Sequence, residues 1–282
     1  MRKDLYDEHV IHGAIGFPVG IYNFSNRPGD TVLFTAHHHR EFELLIVTEG
    51  QVKLQVESSV HILKPEHGIF INSGALHATF SLTETCRCMA IVFSPEMIAS
   101  KNEEVYEKYI KPLADGRISA SAELSREAVL LAADANALFQ SAQNGYELFI
   151  KSNLTRIIAM LVCNAVYTAP PKKNANTATV KIALDYIHNN YMHKITLKKM
   201  ADAAHISKEY LCSVFKEVAD FSPITYLNRY RIMQSADMLR NTNKSISEIA
   251  TDCGFNGSSY YHKLFLHFMK CTPKEYRKTM LN

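Results

Sequence analysis

Short apolar segments separated by turn residues fill residues 10 to 95 of the chain. They are GIYNF, FELLIV, VKLQV, GIFI, ATFSL and CMAIVF, with Pro28-Gly29 and Glu49-Gly50 among the turns between them. Segments of this length, without a helical period between them, are typical of β-strands. The sequence therefore predicts an all-β unit here, either a sandwich or a small barrel.

A helical period replaces this pattern between about Ser121 and Thr168. Two periodic segments, ELSREAVLLAADANALFQSAQ and YELFIKSNLTRIIAMLVCNAVY, are separated at Asn144-Gly145, which predicts two helices joined by a tight turn. Both apolar stripes are broad, and this leaves two roles open. The hairpin packs on a second copy of the chain and makes a homodimer, or it only covers the sheet.

A polar, proline-led segment, APPKKNAN, follows and is typical of an exposed linker. We therefore expect two domains, residues 1–168 and 178–282, joined by a linker at residues 169–177. Beyond the linker the pattern is helical throughout. Helix starts are indicated by Ser222-Pro223, by Thr272-Pro273 and by the capping-box spacing of Ser245 with Glu248.

The last hundred residues contain one pattern twice, at an offset of 49 and then 50 residues. The aligned positions are Leu197, Met200, Ala201, Ile206, Leu211, Phe215, Ser222-Pro223 and Tyr226 with Ile246, Ile249, Ala250, Phe255, Tyr261, Phe265, Thr272-Pro273 and Tyr276. Each copy predicts a short helix, a brief turn and a longer helix, which is the layout of a helix-turn-helix. A joining helix of about 18 residues, roughly 27 Å long, would hold two recognition helices near successive major-groove segments about 34 Å apart.

The net charge of +3 is unevenly divided along the chain. From Thr177 onward there are 15 Lys+Arg and 9 Asp+Glu, a charge of +6, and the preceding residues carry 16 − 19 = −3. A basic C-terminal part on a mildly acidic body indicates that only that part meets a polyanion. We therefore favour DNA binding over the alternative, a duplicated helical bundle that binds only protein.

The C-terminal part resembles a known family. Residues 178–281, above all ISEIATDCGFNGSSYYHKLFLHFMKCTPKEYR, are similar to the DNA-binding domain of the AraC/XylS family of bacterial transcription regulators. The resemblance implies double-stranded DNA and RNA polymerase as partners. Asp220 and Lys270 stand where the family usually has glycine, and because lysine tolerates a left-handed backbone poorly, we expect the turn to change at Lys270.

The resemblance also implies which side chains meet DNA. The residues expected to face the groove are Lys208, Glu209, Cys212 and Ser213 of the first recognition helix and Ser258, Ser259, His262 and Lys263 of the second. Lys263 can donate to guanine and Glu209 can accept from cytosine N4. The groups expected at phosphates are Lys216, Arg229 and the helix N-termini at Ser207 and Gly257. The alternative for each residue is a solvated surface side chain.

The predicted β unit contains two histidine-bearing motifs. The segment HHHREFELLIVTEG, with His37, His39 and Glu43, resembles the first cupin motif, and GALH, ending at His77, resembles the end of the second. His37 and His39 share one strand face, and Glu43 keeps that parity if the strand runs through. The four residues match the three-histidine, one-carboxylate metal set of enzymatic cupins, although the second motif departs at Asn72 and Ser81.

We expect these four residues to bind a small-molecule effector, with carbohydrate a class implied by the family resemblance. No catalytic residue and no cofactor is expected, since no phosphate-loop or dinucleotide pattern and no serine or cysteine triad signature is present. The alternative is a metal-binding cupin, either an enzyme or a metal sensor, fused to a DNA-binding domain.

Hydropathy and cysteine content indicate the cellular location of the protein. The apolar runs, such as Ile157 to Cys163, are too short to span a membrane, and the N-terminus MRKDLYDEHV carries acidic residues where a signal peptide is apolar. Six scattered cysteines, among them Cys86 and Cys88, indicate reduced cytosolic thiols. The expectation is a cytoplasmic, homodimeric, two-domain α+β protein: a cupin-like β-barrel with a helical hairpin, then an all-α double helix-turn-helix domain.

Overall fold

Two compact units, Met1–Lys173 and Asn174–Asn282, make up the computed structural model. The structure describes residues 16–26, 31–119, 123–163, 165–167, 175–219 and 221–280. The expectations outside this description concern the acidic N-terminus, the turn at Pro28-Gly29, linker residues 169–174 and Asp220. The linker bounds therefore stay a prediction. A β-rich unit followed by a helical one confirms the predicted fold class.

Eight strands form two four-stranded antiparallel sheets in the first unit. The sheets have the orders β1-β8-β3-β6 and β2-β7-β4-β5. The strands are β1 (Val19–Ser25), β2 (Val32–His37), β3 (Phe42–Glu49), β4 (Val52–Val56), β5 (Ser59–Leu63), β6 (Gly68–Ile71), β7 (His77–Ser81) and β8 (Arg87–Phe93). The sequence pattern did not single out β2 and β5.

The sheet that contains β3 is apolar on both faces. Phe42, Leu44 and Ile46 of β3 pack into one core with the helices, whereas Leu45 and Val47 pack into a second core between the two sheets. Because successive strand residues point to opposite faces, burial on both sides gives a continuous apolar run rather than an alternating one. The position of Glu43 in this alternation puts it on the same face as Leu45, toward the core between the sheets.

The helical hairpin covers the outer face of that sheet. It consists of α2 (Arg126–Ser141) and α3 (Tyr146–Cys163), as the sequence pattern predicts, and Ile150 and Leu154 of α3 lie in the core with Phe42. The open question about the hairpin is therefore answered in part: its inner stripe covers the sheet. Large apolar side chains remain exposed on it at Leu130, Leu148 and Phe149.

Short elements lie between β8 and the hairpin and directly after the hairpin, and the sequence pattern did not reveal them. They are a 3₁₀ turn (Pro95–Met97), a π-helical turn (Tyr106–Ile110), α1 (Lys111–Ala114), and the paired two-residue strands β9 (Ile118–Ser119) and β10 (Val166–Tyr167). They are too short to produce a readable period.

Seven helices form the described part of the second unit. They are α4 (Ala175–Asn190), α5 (Leu197–Ala203), α6 (Lys208–Ala219), α7 (Pro223–Asn241), α8 (Ile246–Asp252), α9 (Ser258–Met269) and α10 (Pro273–Met280). The predicted starts are observed: Ser222 Oγ accepts from Thr225 N, and Ser245 with Glu248 forms a complete capping box. The side chains of these caps satisfy amide groups that have no partner within the helix.

The two helix-turn-helix copies share their turn geometry. In the first, Ile206 N donates to Ala201 O at 3.0 Å, and in the second, Phe255 N donates to Ala250 O at the same distance. Both alanines are buried, which leaves room for the longer helix of each copy. The residues directly before Ile206 and Phe255 both have a positive φ, 55° at His205 and 78° at Gly254.

The expectation at Lys270 is wrong. This residue follows α9 in the left-handed conformation, with φ 56° and ψ 16°, and its N–H donates to Leu266 O at 3.0 Å. The turn keeps the backbone that glycine would adopt because this C-cap hydrogen bond and the following α10 fix it there. The left-handed conformation of Lys270 costs about 1 kcal/mol of conformational free energy.

Candidate polar cluster and nucleic-acid interface

Four buried polar side chains meet in the first unit. His37, His39, Glu43 and His77 each offer one ligand atom, and these atoms all lie within 4.8 Å of one another. The side chains are between 2% and 8% exposed. The sequence motifs predicted this set of residues, and the structure brings all four together. Their role in binding an effector stays a prediction.

The expected strand shared by His37 and His39 is wrong, and no strand runs through from them to Glu43. β2 ends at His37 and β3 begins at Phe42, in the other sheet, so His39 lies in the connection between them. His77 stands opposite His37 in the pairing of β7 with β2. The chain changes sheets within the motif, and the four side chains therefore converge from both sheets rather than from one strand face.

Backbone carbonyls fix the orientation of two of the rings. His37 Nδ1 lies 2.8 Å from Thr35 O, and His77 Nδ1 lies 2.8 Å from Ala75 O. A carbonyl oxygen only accepts, so both rings carry a proton on Nδ1 and, when neutral, a lone pair on Nε2. The two rings lie 4.1 Å apart between centroids.

Glu43 is the electrostatic centre of the cluster. Its Oε2 lies 3.1 Å from His39 Nε2, which donates to it, and 3.2 Å from His77 Nε2. Burial opposes ionisation of the carboxyl, yet the charge of His77 and the hydrogen bond from His39 hold the pKa of Glu43 well below its usual range. The carboxylate is thus the ionised, negatively charged member of the site.

The histidines respond in opposite directions. Burial, followed by repulsion from His77 and His39, holds the pKa of His37 well below its ordinary value. Burial also disfavours the charged form of His39, but the hydrogen bond to Glu43 and the charges of Glu43 and Glu41 raise the pKa of His39 above its ordinary value. A buried carboxylate and a charged His39 therefore compensate each other.

The residues predicted to face DNA lie on the two longer helices of the repeat. Lys208, Glu209 and Ser213 of α6 are exposed and Cys212 is half-buried, whereas Ser258, Ser259, His262 and Lys263 of α9 are all exposed. Positions spaced by one, four and five residues share one helix face, so each set forms a continuous polar surface. His262 Nδ1 donates to Ser258 O at 2.8 Å, which orients its ring.

The predicted phosphate-binding groups have less uniform surroundings. Lys216 is exposed, Ser207 Oγ accepts from Tyr210 N at the start of α6, and Gly257 is the N-cap residue of α9. The Arg229 guanidinium lies over the rings of Phe221 and Phe268, at 5.9 and 5.6 Å from their centroids. A cation–π arrangement of this kind competes with a phosphate for the guanidinium.

Two exposed tyrosines on the recognition helices were not predicted from the sequence. Tyr210 of α6 and Tyr260 of α9 occupy equivalent positions in the repeat and are 45% and 52% exposed. The Tyr210 hydroxyl donates to Asn176 Oδ1 at 2.8 Å, and the Tyr260 hydroxyl accepts from Asn228 Nδ2 at 3.1 Å. The 50-residue offset that aligns Leu211 with Tyr261 contains the signal for this pair.

Comparisons with known proteins agree with both halves of this description. A family model described as an AraC-like ligand binding domain matches residues 24–158, and one described as a helix-turn-helix domain matches residues 200–279. Among the described residues, no helix has the length and apolar character needed to cross a membrane.

Relatives match over nearly the whole chain. The uncharacterized HTH-type transcriptional regulator YdeC of Bacillus subtilis (strain 168) is 26% identical over 95% of this chain and 94% of its own. The HTH-type transcriptional activator RhaS of Enterobacter sp. (strain 638) is 20% identical over 95% and 97%. The crystal structure of ToxT from Vibrio cholerae O395 has a TM-score of 0.50 at 14% identity, covering 93% of this chain and 98% of that one, and it shows a shared fold.

Proposed function

Because this chain belongs to the AraC/XylS family of bacterial transcription regulators, with a ligand-binding domain and a DNA-binding helix-turn-helix domain, we propose that a small molecule held by His37, His39, Glu43 and His77 controls how it occupies DNA. Carbohydrate remains the proposed effector class. The protein would act in the cytoplasm and contact RNA polymerase at the promoter. The observation that carries the proposal is the duplicated helix-turn-helix with two exposed polar helix faces.

Regulation would follow from linkage between two states of the protein. An effector shifts DNA binding only by the difference in its affinity for the two states. The cluster of four side chains suits such a ligand because its donors and acceptors are buried. A bound effector must therefore replace interactions among the four side chains. A rearrangement of this kind would change the packing of β2, β3 and β7, which supply all of them or flank them.

DNA binding is expected to weaken steeply with salt. The C-terminal part has the charge of +6 counted above, and each phosphate neutralised by Lys or Arg releases condensed counterions. With a duplex selected from a random pool, we expect the Kd of the full chain to rise about a hundredfold or more between about 50 and 200 mM salt. Fluorescence anisotropy measures this change, and binding that is absent or insensitive to salt would contradict the DNA-binding proposal.

The exposed part of the helical hairpin is the proposed homodimer interface. Phe149 is 63% and Leu148 is 74% exposed, and burying one large apolar side chain contributes about 1.5–3 kcal/mol to association. We expect Phe149→Glu to raise the dimer Kd at least about tenfold, as measured by sedimentation velocity. Val60→Glu, at an exposed apolar position of β5, serves as the control. A wild-type monomer at micromolar concentration would refute the interface.

A further inference from the structure

We propose that the cluster of His37, His39, Glu43 and His77 binds a divalent first-row transition-metal ion directly, through three imidazole nitrogens and one carboxylate oxygen. This inference rests on the proposed function, since it identifies what the same effector pocket holds. The ion would give the pocket a Lewis-acidic anchor for the oxygen atoms of an effector. These four residues are the ones proposed above to bind the effector, and the metal would be an added member of that site.

The donor set selects the class of ion. Imidazole nitrogen suits zinc, iron, nickel and cobalt, whereas calcium and magnesium take oxygen ligands. Metal–nitrogen bonds of about 2.0–2.1 Å place two ligand atoms of a tetrahedral site about 3.4 Å apart. Glu43 Oε2 already lies 3.1 and 3.2 Å from the Nε2 atoms of His39 and His77. A small adjustment of the side chains would bring the four atoms to bonding distance from one ion.

The surrounding backbone prepares two of the ligands. The Thr35 and Ala75 carbonyls each accept the Nδ1 proton of the histidine two residues later, His37 and His77. This contact holds the ring orientation and directs the lone pair of Nε2 into the cluster, as the hydrogen-bonding partners of metal-bound histidines usually do. A metal ligand gains affinity from this contact because its ring is already oriented.

The contact between His77 and Glu43 places two candidate ligand atoms side by side. His77 Nε2 is buried, lies 3.2 Å from the carboxylate Oε2, and has no hydrogen-bond partner among the described residues. Because Ala75 O accepts the Nδ1 proton of His77, the Nε2 atom is the one that can bind a metal ion, beside the Glu43 carboxylate oxygen. A metal ion between the two atoms would form one coordinate bond with each of them.

Cobalt provides the direct test. Full-length protein, stripped with EDTA and dialysed, is titrated with Co²⁺ while the visible spectrum and the bound metal content are recorded. We expect about one ion per chain, with ligand-field bands of a nitrogen and oxygen site and without the intense near-ultraviolet absorption of thiolate ligands. Glu43→Gln and His77→Asn should each weaken binding at least about tenfold. His61→Gln, a partly exposed histidine of β5, is the matched control and should bind as the wild type does.

Thermal unfolding and DNA binding separate the outcomes. Zn²⁺ should raise the Tm of the wild type and of His61→Gln but not that of the two cluster variants, which shows metal binding even if those variants are less stable. Wild-type protein that binds no metal, or cluster variants that retain one ion per chain, would overturn the inference. Salt-dependent binding to the selected duplex, measured on the same samples with EDTA, tests the proposed function separately, so one can fail while the other stands.

Discussion

Replacing Gly254 with alanine will lower the free energy of unfolding of the helical unit by about 3 kcal/mol. Gly254 lies in the turn of the second helix-turn-helix with φ 78°, where an L side chain is strained by about 1–2 kcal/mol. Native-state hydrogen exchange of the amides in α8 and α9 measures the change. The variant should also bind the selected duplex more weakly, because α9 would lose the position that this turn fixes.

Steric conflict adds the rest of the cost. A Cβ at Gly254 would lie 2.4 Å from Tyr191 O and 2.8 Å from Arg231 Nη2. These groups already form a buried contact, in which Arg231 Nε donates to Tyr191 O at 2.8 Å and Nη2 donates to His193 O at 2.7 Å. Arg231 is 8% exposed, so moving it would leave a buried guanidinium and carbonyls without their partners.

The other half of the repeat supplies the control. His205 occupies the same turn position with φ 55°, is exposed, and already carries a Cβ. His205→Ala should therefore change the free energy of unfolding by less than about 0.5 kcal/mol. Equal losses at the two positions would contradict this account, because His205→Ala adds neither a Cβ nor new backbone strain.

The contrast between these turns shows what the repeat pattern contains. Ala201 and Ala250, the caps at Ser222 and Ser245, and both helix pairs follow from local rules of spacing and capping, and the structure has them where the pattern predicts. The steric requirement for glycine at Gly254 comes from Tyr191, just after α4, and from Arg231 of α7, which lie far away in the sequence. Local patterns do not contain such contacts, and at Lys270 they led to the wrong expectation.

The polar cluster was likewise predicted from the sequence only in part. The resemblance of the spacing of His37, His39 and Glu43 to the first cupin motif identified these residues. The spacing did not reveal that the chain leaves one sheet after His37 and enters the other at Phe42. Sheet membership depends on long-range pairing, and apolar alternation describes each strand only by itself.

Substituting Lys263 separates base recognition from simple attraction to DNA. Lys263 is exposed on α9, on the same helix face as Ser259, and we propose that it donates to guanine acceptors in the groove. Lys263→Ala should cost about 1–3 kcal/mol on the preferred duplex, a loss of roughly tenfold to a hundredfold, and relax the preference at one base pair. Binding-site selection followed by anisotropy on single-base variants of the duplex measures both effects.

Lys216→Ala is the matched substitution, because it removes the same charge from an exposed position in the last turn of α6. A phosphate contact contains no sequence information, so this variant should weaken binding to all duplexes alike and reduce the salt slope by about one. The preference at each base pair should stay that of the wild type. If the two variants give the same selection profile and the same salt slope, Lys263 is another backbone contact, and specificity on α9 must come from Ser258, Ser259 or His262.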